Sequence, residues 1–179
     1  MKEVKSQSFV RWFDRQFDSN TSLEYFDEFL QRLEHFPAVL HQLLKNCPKE
    51  VSTYKMEDKW SINENIGHLI LLEGLWRIRF RDIKEGKPDM SPTDLNNTAT
   101  DESSFNNMLF EELIKNLASE RHKTIAMLQK MSEEDLLKTS MHPRLHQPMN
   151  IIDLMYFVAE HDLHHLNAIQ SIIGIMENI

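Results

Sequence analysis

Apolar residues recur along most of this chain with the period of an α-helix rather than that of a strand. Thr21-Ser22-Leu23-Glu24 has the residue types of a capping box, a hydroxyl followed by a Glu that reaches back. Phe26, Phe29, Leu30, Leu33, Phe36, Leu40 and Leu44 then mark one helical face. The pattern predicts a first helix over 21–46, kinked or restarted at Pro37 and closed by Asn46-Cys47-Pro48. Phe9, Val10, Trp12 and Phe13 suggest a short extra helix ahead of it. A second box, Ser61-Ile62-Asn63-Glu64, opens a second helix that runs to Lys84 and stops at Gly86, a residue suited to the position just past a helix end. Ile62, Ile66, Leu69, Trp76 and Phe80 form its main stripe, with Leu71, Leu72 and Leu75 on the other side, so burial on nearly all sides is expected. Gly67 and Gly74 inside it each cost about 1 kcal/mol relative to Ala, which close approach of a neighbouring element would offset.

Residues 86–103 hold Pro, Gly, Asn, Thr and Asp without an apolar period and read as a long loop. A third helix is predicted over 104–130, with Leu109, Leu113, Leu117, Met127, Leu128 and Met131 on one face. Ser132-Glu133-Glu134-Asp135 starts a short helical turn, MHPRLHQPMN forms a second loop, and Asn150 and Asp153 cap a fourth helix over 150–176. The expected fold is all-α: a four-helix bundle in one domain spanning residues 1–179. At ~3.3 Å per residue the 86–103 connection can travel back along the bundle. The second and third helices can then run parallel, in an up-down-down-up order.

Composition narrows the function classes. Four glycines among 179 residues argue against a turn-dense β-barrel or sandwich. A net charge of −8 argues against a nucleic-acid partner, whose backbone is bound by many Lys and Arg contacts. The single cysteine, Cys47, excludes an internal disulfide and a Cys-rich zinc knuckle. The first twenty residues lack the apolar run of a secretory signal, and no stretch reaches the ~18 apolar residues of a membrane span. A cytoplasmic protein without a membrane contact is expected.

Nine histidines are the chemical surplus. In the fourth helix, Glu160-His161-Asp162-Leu163-His164-His165 places His161 and His165 four apart, stacked on one face. At about 100° per residue, His165 falls about 40° from His161 and inside the apolar stripe, whereas His164 falls about 60° the other way, toward rim or solvent. His68 is the best candidate for a third ligand, although the second helix is too evenly apolar for periodicity to orient it. Three neutral imidazoles suit zinc, nickel or iron and leave coordination positions open. Asp162 and Glu73 are inward-facing carboxylates that could take the outer N–H groups of such ligands. His35 and His122 point away from their stripes, His41 flanks one, and His142 and His146 belong to the loop before the fourth helix, a surface loop by default that could approach the mouth of a site.

Trp60-Ser61-Ile62-Asn63-Glu64-Asn65-Ile66-Gly67-His68-Leu69 with Glu73, the later His142-Pro143 loop, and Asn150 to Gln170 with His161 and His165 together resemble the DinB superfamily. The nearest branch is the YfiT-like metal-dependent hydrolases, related to bacillithiol S-transferases. The resemblance implies an up-down-down-up bundle holding zinc or nickel, with iron or manganese as alternatives, on His68, His161 and His165. It also implies a small-molecule substrate, a low-molecular-weight thiol among the candidates, and a homodimer. In the family the His-Pro loop carries a glycine a few residues on, where this chain has Leu145-His146.

Three functions follow as expectations. The first is a metal-dependent enzyme, a thiol S-transferase or a hydrolase, that activates a thiol or water. The second is a non-catalytic metal-binding bundle with a stabilising or sensing role, which a fourth protein ligand such as His41 or Glu73 would favour. The third is an interaction domain whose histidines pack without metal.

Overall fold

The computed structural model describes residues 11–57 and 59–176. Four long helices form the body: α1 (Phe26–Leu44), α3 (Ile62–Lys84), α5 (Phe110–Leu128) and α7 (Ile151–Met176). Short elements fill the connections: α2 (Lys49–Ser52), α4 (Thr98–Asp101), α6 (Glu133–Leu137), and a hairpin of β1 (Ser140–Met141) with β2 (Pro148–Met149). Helices α1 and α3 lie on opposite corners, each packed against both α5 and α7. Contacts give the directions. Phe29 meets Tyr156 and Arg32 meets Glu160, so α1 and α7 run parallel. Glu73 meets Arg121 and Arg77 meets Thr124, so α3 and α5 run parallel. Trp76 packs on Phe157 and Asn65 reaches His165, so α3 opposes α7. The order is up-down-down-up. No helix of the described residues is long and apolar enough to cross a membrane.

The local signals act with some displacement. Ser61 and Glu64 form a complete capping box at the start of α3. At the first helix the cap is Ser22, whose hydroxyl serves a 3-10 turn over Leu23–Tyr25, so the regular helix starts at Phe26 rather than Thr21. Pro37 neither ends nor restarts α1. The Leu33 carbonyl that lacks a partner because Pro37 has no N–H accepts instead from Arg121 Nη1 at 3.0 Å. The third helix begins at Phe110, not 104, because Asn63 Nδ2 captures the Phe105 and Met108 carbonyls at 3.2 and 2.9 Å and holds that segment as a 3-10 turn. Gly67 makes room for this turn: a Cβ there would lie 2.1 Å from the Phe105 ring, whereas one at Gly74 would meet nothing within 4 Å. Only the first two turns of α3, residues 62–69, are buried all round; Leu71 and Ile78 are exposed. Of the expected extra N-terminal helix, a 3-10 turn at Trp12–Asp14 is seen, and Phe9 and Val10 lie outside the described residues.

The apolar interior divides into two clusters. One includes Phe29, Leu33, Trp76, Phe80, Ile125 and Phe157; the other includes Phe36, Leu40, Ile66, Leu69, Leu117 and Ile169. On all four helices the sequence passes through a polar level between them. Arg121, 2% exposed, donates to Glu73 Oε1 at 2.6 Å, to both Asp162 oxygens at 2.7 and 3.0 Å, and to the Leu33 carbonyl. Thr124 Oγ1 donates to the second Glu73 oxygen at 2.5 Å. A buried charge is tolerated where opposite charges and hydrogen bonds surround it, and here each of the other three long helices gives Arg121 a partner.

Candidate metal centre

At the same mid-bundle level, α3 supplies His68 and α7 supplies His161 and His165. One ring nitrogen from each lies within 4.8 Å of the other two. One pair, His161 Nε2 and His165 Nε2, is 3.3 Å apart. That matches the edge of a tetrahedron with metal–nitrogen bonds of about 2.0–2.1 Å. All three residues are buried.

Hydrogen bonds orient two of the rings. Asn65 Nδ2 donates to the Trp60 and Ser61 carbonyls at 3.3 and 2.8 Å, which turns Asn65 Oδ1 toward His165 Nδ1 at 2.8 Å. An amide oxygen only accepts, so His165 carries its proton on Nδ1 and keeps a lone pair on Nε2. His68 Nδ1 lies 3.0 Å from Thr100 Oγ1, supplied by α4 in the connection between α3 and α5. His161 Nδ1 is buried without a partner.

Burial disfavours the charged form of each ring. It lowers His68 to about 4, helped by the nearby His164 and opposed by Asp101. His161 and His165 are held well below their ordinary value by burial and then by neighbouring histidines. All three are therefore neutral imidazoles at pH 7 with lone pairs available. This donor set and the 3.3 Å pair of Nε2 atoms fit a divalent ion.

The candidate carboxylates lie elsewhere in the network. Asp162 and Glu73 both engage Arg121, and the ring partners of the histidines are Asn65 and Thr100. Helical phase directs Asp162 inward, but the neighbouring helix presents a guanidinium there. Asn65 was legible, being one turn before His68 on the same face; Thr100 lay in a stretch without periodicity. Among the described residues the group of potential ligands contains no fourth member. His41 is exposed on another face.

A cavity of about 320 Å³ opens beside the three histidines. Its walls include Trp12, Trp60, Trp76 and Phe157. Half-buried His164 stands at its edge, stacked on Trp12 at 5.7 Å. His142, expected on a surface loop, is 1% exposed and lines the cavity. The hairpin folds its loop inward, so that His142 Nδ1 accepts from the Arg144 and Leu145 amides and its ring rests 4.9 Å from Phe157. Burial, then Arg79 and Arg144, lower His142 to about 3. In the same loop His146 has φ +51°, a left-handed conformation that glycine adopts freely. His35, His41, His122 and His146 are exposed.

The structure of YfiT from Bacillus subtilis, described as a probable metal-dependent hydrolase with an unusual four-helix bundle topology, superposes with a TM-score of 0.78. The match covers 91% of this chain and 94% of that one at 19% identity, a likeness of fold. No curated protein sequence matches the chain. The family model of the DinB superfamily matches residues 32–169, which include all three histidines and the four long helices but for the first residues of α1 and the last of α7. The chain belongs to the DinB superfamily.

Proposed function

We propose that this protein is a metal-dependent enzyme acting on a small molecule, with His68, His161 and His165 as ligands of a divalent ion, zinc or nickel first among the candidates. One observation carries the reading: three neutral imidazoles converge beside an open cavity, and among the described residues no fourth ligand closes the set. A closed set would suit a stabilising site; three ligands with space beside them suit chemistry. The fold shared with YfiT, itself described as a probable metal-dependent hydrolase, supports the same class.

When bound, the ion supplies Lewis acidity that brings a thiol or a water to its nucleophilic form near neutral pH. The residues of the chain do the rest. Asn65 holds His165 in one tautomer and one orientation, and Thr100 steadies the His68 ring from the other side. Trp12, Trp60 and Trp76 give the cavity apolar walls beside the face where the rings meet. Thiol transfer and hydrolysis use the same three ligands, so the assay must offer both. Purified protein is stripped with chelator, reloaded with single ions, and supplied with an electrophilic aromatic halide plus a panel of thiols, and separately with ester and amide substrates. The expected result is a rate that disappears on stripping and returns with one ion. Rates indifferent to stripping and reloading would refute the proposal.

A further inference from the structure

The cavity wall carries guanidinium groups that form no ion pair with a carboxylate among the described residues. Arg11, Arg79 and Arg144 line it against a single acid, Asp94, in a chain whose net charge is −8. Asp94 is committed to its own loop, accepting from the Asn96 and Thr98 amides at 2.9 Å each. Arg79 is 2% exposed; it donates to the Ser91 carbonyl at 2.9 Å and to His142 Nε2 at 3.2 Å, both neutral, and lies over Trp76. Arg144 is packed among Trp12, Phe13 and Phe157, 5.3–5.6 Å from each ring centre. Its Nη2 is buried and has no hydrogen-bond partner. Among the described residues neither guanidinium has an ion-pair partner. Arg121, in the same bundle, shows the contrast, with two carboxylates around one guanidinium. Desolvating a cation is repaid only by close opposite charge, so a counterion is missing at this wall.

We propose that the missing counterion is the carboxylate of the substrate. The cavity takes a small organic acid whose apolar body packs on the tryptophans and whose carboxylate is received by Arg144, with Arg79 adding charge behind it. This rests on the reading that the cavity is the substrate site. A carboxylate suits the wall better than a phosphate dianion, which uses more donors than the one buried, unpartnered guanidinium nitrogen of Arg144. The hairpin supports the role: the Arg144 amide donates to the buried His142 ring, so the guanidinium is presented from a fixed loop.

All three tryptophans of the chain line this cavity, so intrinsic fluorescence reports on it directly. Benzoate and its neutral isostere benzamide are titrated into wild type, Arg144→Gln and Arg144→Lys, each with and without prior chelation. Thermal melts establish that the variants fold. Wild type should bind benzoate at least tenfold more tightly than benzamide; R144Q should lose that preference while keeping its benzamide affinity, and R144K should keep part of it. The pattern should survive chelation, in which case it stands even if the protein proves to hold no ion. Equal binding of the two probes by wild type would overturn the proposal. So would a benzoate preference that survives R144Q and disappears on chelation, because the ion would then be the receptor. If R144Q does not fold, the R144K comparison decides: an undiminished benzoate preference there would likewise refute a specific guanidinium contact.

Discussion

Replacing Asn65 by Leu separates the orientation of His165 from its mere presence. Asn65 is 4% exposed, and its side chain makes three hydrogen bonds, at 2.8 Å with His165 Nδ1, 2.8 Å to the Ser61 carbonyl and 3.3 Å to the Trp60 carbonyl. Leucine is similar in size and makes none. The Ser61 carbonyl still accepts from the Asn65 amide at 3.0 Å, so the buried group left without a partner is the His165 Nδ1–H. A net loss of about 1 kcal/mol per hydrogen bond, raised by the desolvated donor, gives about 2–4 kcal/mol of lost stability. The second consequence is chemical. Freed of its acceptor, the His165 proton can move to Nε2, the nitrogen that faces His161, and the lone pair is lost to the site. Groups that orient metal ligands are typically worth 10–100-fold in affinity. Asn65→Asp keeps the acceptor but loses both donors, so it should lower stability and leave metal affinity near the wild-type value. Chelator-competition titration gives the affinities, and urea denaturation gives the stabilities. Wild-type metal affinity in N65L would refute the orienting role.

Removing the cation in Arg121→Met strands two buried carboxylates and should cost about 3–5 kcal/mol by chemical denaturation; the triple variant with Glu73→Gln and Asp162→Asn should recover at least half of that loss. Gly67→Ala should destabilise by about 1–3 kcal/mol, because its Cβ enters the Phe105 ring, whereas Gly74→Ala, with open space beside it, should stabilise by about 1 kcal/mol. Buried His142, lowered to about 3, stays neutral in the folded protein while the unfolded chain takes up a proton below about 6.5. Stability should therefore fall as pH drops through that window, and the melting temperature of His142→Gln should fall less steeply over the same range.

The bundle was largely legible because four amphipathic stretches and their caps are local signals. Ser61 and Glu64 mark the start of α3 as their types predict. The structure departs from the local signals where a distant group overrides a local rule. Pro37 should interrupt a helix, but Arg121, 84 positions later in the chain, satisfies the carbonyl it abandons. The third helix should start near 104, but Asn63 claims its first carbonyls. At the site, the HxxxH spacing places His161 and His165 on one face, and chain statistics alone do not say what stands opposite. His68 needed the family likeness, since the start of α3 is buried all round. Asp162 and Glu73 point inward as expected but meet Arg121, a residue with no visible signal in a stretch of charged positions. His142 and Arg144 were concealed in a loop whose inward fold depends on the hairpin.

Metal content tests the central claim most directly. Wild type and the variants His68→Ala, His161→Ala and His165→Ala are purified in parallel and measured by elemental analysis after equilibration with one divalent ion, with His164→Ala and His35→Ala as controls. About one ion per chain in wild type and both controls, and a large loss in each of the three variants, is the expected result. Equal metal content in all six proteins would contradict the three-histidine centre.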